Sequence, residues 1–379
     1  MKAKRVVILT SALAYGGAEV QLVRLALALR TRGWVVDIVM MLPSEAFVSE
    51  LKAQGVGLHS LGMRRGSDVR GGLAGVRGLA GTVTLLRQLR PDLLVSFNFP
   101  GNALGRVAGR LAGVPVISSI RNEFFGGARR ERFMRVTNFV DAATTTNSQL
   151  AADSLVRRGV VKRDKLHLTP NGLTEAQFQT YPAEAQHLRQ ALGVTEDTFL
   201  WVAVGRLEPQ KAYPNLLGAF KRLGSGDTKV ALLIAGQGRL HGDLELLLTS
   251  LGLSGQVRLL GLRKDVPVLL SAADAFVLAS SWEGLPNVLM EALAAATPAV
   301  ATRVGGVEEL LQAGTGYTAR PGDPEALAGA MRRMIDHSPE ERAAMGKKGQ
   351  AFVRERYGME RVVDIWEGLF LDLLAKNAR

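Results

Sequence analysis

The 379 residues include no cysteine, which excludes a disulfide scaffold, a thiol nucleophile and a thiolate metal site and fits a reducing, cytoplasmic setting. That length exceeds one ordinary core and predicts two domains, and no apolar run approaches the roughly 18 residues that span a bilayer. The net charge of +12 is unevenly divided: residues 1–172 carry +14 and the remainder −2, which predicts different partners for the two halves.

The chain opens with a short apolar run, 6–9, that turns at once into Thr10-Ser11 and a glycine loop, the pattern of a first strand and not of a signal peptide. Further apolar runs at 35–40, 93–96, 116–118 and 142–145 alternate with helical patterns such as 20–31, where Leu22, Leu25 and Leu29 share a face. Strands alternating with helices give βαβ units and a parallel sheet. Gly16-Gly17-Ala18-Glu19 follows the first strand. Two glycines let a backbone approach a ligand, and the next helix would offer free N–H groups to it; a tight turn explains the pair equally well.

The basic excess gathers in two places. Arg64, Arg65, Arg70, Arg77, Arg87 and Arg90 accompany a helix bearing Leu73, Val76, Leu79, Val83 and Leu86. In 124–135, aromatics mix with Arg129, Arg130, Arg132 and Arg135. A basic amphipathic surface suits the anionic face of a membrane, at about 1 kcal/mol per Lys or Arg, and a solvated arginine face is the competing reading. The chain has none of the usual nucleic-acid-reading motifs.

Pro170-Asn171-Gly172 carries strong turn signals after the strand at 166–168, and a new strand–helix series begins at 199–204, placing the domain boundary near Gly172. That new strand runs into Gly205-Arg206-Leu207-Glu208-Pro209-Gln210-Lys211, where a guanidinium and an ammonium stand five residues apart, a pairing suited to a diphosphate. Gly236-Gln237-Gly238 ends another strand without the further glycine and acid of a dinucleotide fingerprint. The run 275–279 reads as a buried strand and leads to Trp282-Glu283-Gly284-Leu285-Pro286-Asn287. Pro286 is placed in the first turn of a helix that carries Glu291 and closes at Pro298. Asn287 and Glu291 fit either a ligand site or the wet stripe of an amphipathic helix. The strand 299–304 then enters Gly305-Gly306-Val307-Glu308-Glu309, a glycine pair opening a helix and suited to an anion. Four strand ends in this half thus carry glycine or charge where open α/β sheets place ligands. Helices over 340–375, broken at Tyr357-Gly358, end the chain; Val362, Ile365, Trp366, Leu369 and Leu373 form a docking face.

Together these residues resemble the retaining, nucleotide-sugar-dependent glycosyltransferases of the GT-B fold, family GT4. The resemblance rests on Gly16-Gly17-Ala18-Glu19, Pro170-Asn171-Gly172, Gly205-Arg206-Leu207 with Lys211, Glu283-Gly284-Leu285-Pro286-Asn287 with Glu291, and Val304-Gly305-Gly306 with Glu309. It implies an α/β protein of two Rossmann-like domains facing across a cleft. Residues 1–172 would bind the acceptor, 173–358 would bind the nucleotide sugar, and 359–379 would form a helix packing back on the first domain.

By that resemblance Arg206 and Lys211 bind the donor diphosphate, and Glu283, with the N–H groups of Gly284 and Leu285, holds the transferred sugar. Gly205, Pro286, Asn287 and Val288 line the same donor site, Glu291 accepts from the ribose, and Gly16 and Gly17 close over the phosphates. Leu262 and Arg263 fall where the family seats the nucleobase. Many members carry a histidine after the strand that ends here in Ile120-Arg121-Asn122-Glu123, so Arg121 or Asn122 is expected to contact sugar or acceptor instead.

No Asp-x-Asp occurs in the chain, so neither metal nor cofactor is expected, and Arg and Lys would stabilise the leaving diphosphate. The implied activity is sugar transfer, with UDP the favoured nucleotide, to a hydroxyl acceptor in cell-envelope polysaccharide or glycolipid assembly. The acceptor is expected to be lipid-linked, and the enzyme cytoplasmic, with peripheral contact to the inner membrane face through its basic first domain. The competing readings are a GT-B sugar-nucleotide epimerase and a non-catalytic polyanion- or membrane-binding protein.

Overall fold

A computed structural model describes residues 3–64, 73–121, 125–224, 228–312 and 314–377. The chain forms two compact units, one built from Met1–Gly172 with Met359–Arg379 and the other from Leu173–Gly358.

The first unit holds a seven-stranded sheet: β1 (Arg5–Thr10), β2 (Val35–Met40), β3 (Gly57–Ser60), β4 (Leu93–Phe97), β5 (Val116–Ile120), β6 (Ala143–Thr146) and β7 (Leu166–Leu168), in the order β3-β2-β1-β4-β5-β6-β7. Its pairings are parallel, with Val7 opposite Asp37 on one side and Leu94 on the other. Val6, Ile8, Val95 and Ile117 are fully buried, which is why these strands read as near-continuous apolar runs. The first helix, Gly17–Thr31, covers one face with Leu22, Leu25 and Leu29.

The helix Met359–Asn377 completes the same core through Val362, Trp366, Phe370 and Leu373. Trp366 stacks on Phe97 at 6.3 Å between centroids, and Trp34 Nε1 donates to Glu367 at 2.8 Å. Where the chain leaves this unit, Gln21 and Gly172 exchange two hydrogen bonds of 3.0 and 2.6 Å, and a Cβ on Gly172 would lie 2.5 Å from Met359 Sδ. Deeper in the sheet Arg106 and Asp141, both fully buried, are bidentate at 2.9 and 2.5 Å. Ser118, Asn138 and Thr144 also donate to that carboxylate. Burial pulls the Asp141 carboxyl upward, and the charge and hydrogen bonds of Arg106 oppose it.

The second unit holds six parallel strands: β8 (Thr198–Val204), β9 (Lys229–Ala235), β10 (Val257–Gly261), β11 (Ala275–Leu278), β12 (Ala299–Thr302) and β13 (Gly316–Ala319), ordered β10-β9-β8-β11-β12-β13. Apolar clusters lie on both faces, one around Trp201, Phe220 and Met331, the other around Phe276, Leu289 and Leu293. In each sheet the strand order reverses beside the first strand, between β1 and β4 and between β8 and β11. Crevices at the carboxyl ends of such strands are where open α/β sheets take ligands.

Candidate active site

At the β8/β11 reversal the two charged groups that the sequence separates by 72 residues meet. Lys211 Nζ donates to Glu283 Oε1 at 2.6 Å, with side chains only 15% and 9% exposed. Lys211 ends a short 3-10 turn, Pro209–Lys211, and the next residue, Ala212, takes the left-handed conformation at φ 46°. That strain, rare outside glycine, swings the chain from the loop into the helix Tyr213–Leu223. Ser280 Oγ donates to Glu283 Oε1 at 2.7 Å, and Gln210 Nε2 reaches Oε2 at 3.4 Å and the Trp282 carbonyl at 2.9 Å. Tyr213 Oη donates to the Gly205 carbonyl at 2.9 Å. Its phenol is pushed well above the ordinary range by burial first and by the Glu283 charge second, so it stays a donor.

Backbone contacts lace the neighbouring strand ends together. Gly236, at φ 150°, lies against the Gly205 carbonyl, where a Cβ would sit at 1.9 Å. Gly305, at φ 51°, would place a Cβ 2.2 Å from the Glu283 carbonyl oxygen and 2.5 Å from that of Gly284. Only glycine fits there, and the loop that carries Glu283 is fixed as a result.

Two expectations need correction. Gly306 N–H donates to the Gly284 carbonyl at 2.6 Å, and the helix it opens is the four-residue Val307–Leu310 with Glu308 and Glu309 in its first turn. The pair therefore braces the Glu283 loop, and the Gly306 N–H is spent on that loop and not left open to an anion. The helix after Glu283 runs Asn287–Ala294, so Pro286 is its N-cap residue with φ −74° and ψ 109°, and Ala296 at φ 57° turns the chain before Pro298.

The other expected donor residues are distributed around this centre. Arg206 is exposed and makes no ion pair among the described residues. Leu285 and Pro286 are buried, Leu285 in the core, and Val288 packs against that core, so these three side chains serve the interior. Asn287 begins the helix, and Glu291, one turn on, accepts from Gln177 Nε2 at 2.9 Å. Leu262 is 63% exposed just past β10, while Arg263 is engaged with Asp265 at 2.8 and 2.5 Å. Sequence reasoning missed Ser280, Gln210, Tyr213 and Gln177. Gln210 and Ser280 flank the two charged motifs, the signal that would have found them.

In the first unit Gly16 is the N-cap residue of the helix Gly17–Thr31, and a Cβ on it would lie 2.4 Å from Glu19 Oε2. Arg121 is buried: Nε donates to Ser119 Oγ at 2.9 Å and Nη1 to the Thr169 carbonyl at 2.7 Å. Its guanidinium lies over Phe97 and Trp366, and burial pulls it down to about 9. Arg121 thus ties β5 to the chain exit and the last helix. Asn122, Arg65 and Arg70 lie outside the described residues.

The helix Ala128–Thr137 does expose Arg129, Arg130, Arg132 and Arg135. Of the aromatics expected on this surface, Phe125 is buried and Phe133 packs with Met134 in a small core, while Phe124 lies outside the described residues. Phe139, 75% exposed, is the aromatic that stands outside there. Among the described residues no helix is long and apolar enough to cross a membrane, and no three His, Asp or Glu side chains are grouped to hold a metal.

Two parallel sheets, each reversing strand order beside its first strand, make up the two-domain α/β architecture of the GT-B glycosyltransferases. Two family models agree, "Glycosyl transferase 4-like domain" over residues 16–172 and "Glycosyl transferases group 1" over 184–352. The chain belongs to this group 1, GT4-type family, enzymes that draw their sugar from a nucleotide sugar.

It is 26% identical over 314 residues to the UDP-Gal:alpha-D-GlcNAc-diphosphoundecaprenol alpha-1,3-galactosyltransferase of Escherichia coli, spanning 80% of this chain and 81% of that one. Among solved structures it is similar to Anabaena HepE in complex with UDP and glucose, with TM-score 0.83 and 23% identity over 97% of this chain and 99% of that one. Sucrose-phosphate synthase of Thermosynechococcus elongatus shares the fold at TM-score 0.86 and 20% identity, over 98% of this chain and 100% of that one.

Proposed function

We propose that this glycosyltransferase moves a sugar from a UDP-sugar to an acceptor hydroxyl with retention of anomeric configuration, in cell-envelope polysaccharide or glycolipid assembly. The observation that carries the reading is the buried Lys211–Glu283 pair at the β8/β11 reversal, beside the exposed cation of Arg206. A diphosphate brought there meets an unpaired guanidinium first. It then competes with Glu283 for Lys211, which frees the carboxylate to accept from sugar hydroxyls.

In this reading the bond from the anomeric carbon to the β-phosphate oxygen breaks while Arg206 and Lys211 neutralise the departing charge. The acceptor oxygen bonds to the same face, and its proton passes to the leaving phosphate. Glu283 positions the sugar, with Ser280 and Gln210 holding its orientation. Glu291 takes the ribose, and Leu262 with Arg263 borders the base. The UDP preference and envelope role are supported by the UDP complex of the Anabaena neighbour and by the diphosphoundecaprenol substrate in the name of the Escherichia coli relative. The same substrate supports a lipid-linked acceptor, reached through basic surface such as the helix Ala128–Thr137.

The test is a thermal-shift screen against UDP-, GDP-, ADP- and dTDP-sugars. A true donor at 100 times its Kd adds about 2.7 kcal/mol, a shift of about 5–10 °C for a unit of this size. The product's anomeric configuration, read by NMR coupling constants, must match that of the donor. An inverted product overturns the retaining assignment, and no stabilisation by any sugar nucleotide overturns the donor site.

A further inference from the structure

The first sheet has its own reversal point, and three adjacent strands bring unusual residues to it. After β1 stands Tyr15, 78% exposed, its ring held 4.8 Å from that of Phe47. Phe47 follows β2 and takes the left-handed conformation at φ 62°, a genuine outlier for a bulky side chain. Asn98 follows β4, also at φ 62°, and its Nδ2 donates to Glu19 Oε1 at 3.1 Å. Strain of this kind collects at ligand sites. The second Glu19 oxygen lies tucked against Gly16, and among the described residues neither it nor Asn98 Oδ1 has a hydrogen-bond partner.

From this geometry we infer that Tyr15, Glu19 and Asn98 form the acceptor subsite, and that the group it takes is a neutral pyranose. The inference rests on the glycosyltransferase reading above. A pyranose has an apolar C–H face that packs on an open aromatic ring and a rim of hydroxyls that donate to a carboxylate and exchange bonds with an amide. Phe47 holds the Tyr15 ring in place, and the Asn98 bond holds the carboxylate, so little ordering remains to be done on binding. The charge of Glu19 works against a phosphate or carboxylate at the same spot. The sugar that accepts is thus recognised through its ring.

The experiment uses the full chain, the donor found by thermal shift, and glucose, galactose, mannose and N-acetylglucosamine pyranosides in both p-nitrophenyl- and polyprenyl-diphosphate-linked forms. The wild type is expected to use at least one of them. Tyr15→Ala raises the acceptor KM about tenfold, Tyr15→Trp restores it, and Glu19→Gln raises it by a similar factor. The donor-induced thermal shift, measured on each variant, reports whether the donor site is folded and loaded. An acceptor KM within twofold of wild type in Tyr15→Ala, with the donor shift present, overturns the inference, as does wild-type failure to use any pyranoside. Failure of the donor reading shows separately, as absence of the thermal shift in the wild type.

Discussion

The two sheets reverse strand order at equivalent places yet equip those places differently. The second unit buries a lysine–carboxylate pair at its reversal and locks the surrounding loops with glycine-to-carbonyl contacts. The first unit leaves an aromatic ring open and holds a single carboxylate by one amide. On the readings proposed above, one balances a large charge and the other recognises a ring-shaped neutral surface. The contrast follows from physics, since charge stabilisation needs fixed partners at low dielectric and stacking needs an accessible face.

The sharpest way to break this contrast is to remove the charges. Glu283→Ala and Lys211→Ala are each expected to lower kcat by about a thousandfold, roughly 4 kcal/mol, while changes at Tyr15 act chiefly on the acceptor KM. Steady-state kinetics with circular dichroism as a fold control decides it, and near-normal turnover in either variant removes the pair from the chemistry.

A second effect, comparable in free energy but read in stability, separates a structural charge from the charges assigned to the chemistry. Arg106→Ala strands the Asp141 carboxylate in the first unit's interior and is expected to cost about 3–5 kcal/mol in denaturant unfolding. The double variant Arg106→Met, Asp141→Leu recovers most of that. Equal losses in the single and double variants would refute the stranded-charge explanation.

The smallest effect concerns the last helix. Glu367 sits below the ordinary carboxylate range, chiefly through its bond from Trp34 and then through Arg32, against the opposing pull of burial. A depressed folded value means stability that is complete above the unfolded value and lost as pH falls through the folded one. Glu367→Gln should therefore lower Tm by about 2–4 °C at pH 7 and leave it unchanged near pH 2, where both carboxyls are neutral. A deficit that persists in acid would assign the loss to packing.

Most central strands were legible because strands buried on both faces must be continuously apolar: 35–40 matches to the residue, and so does the edge strand 166–168, which its flanking turn signals mark off. The edge strands β3 and β13 were missed. Gly57-Leu58-His59-Ser60 and Gly316-Tyr317-Thr318-Ala319 are short and largely half-exposed, so no apolar run marks them. Glycine and charge at strand ends pointed to the second unit's reversal. The pairing of Lys211 with Glu283 could not be read, because it depends on β8 and β11 being neighbours. Phe47 was invisible for another reason, since a left-handed backbone at a bulky residue leaves no compositional trace, and Asn98, of a type that adopts it more readily, leaves only a faint one.

The union of Trp366 with Phe97 also governs how the molecule is made. The first unit's sheet leaves the ribosome early, yet the helix that finishes its core is separated from it by the 186 residues of the second unit. Closing so long a loop costs little more than closing a short one, because the entropy grows only with the logarithm of length. The delay in time is what matters. Throughout synthesis of the second unit, Phe97, Trp34 and their neighbours lack the helix that covers them, so an apolar face of the first unit stays open to misassembly until residues 359–379 emerge.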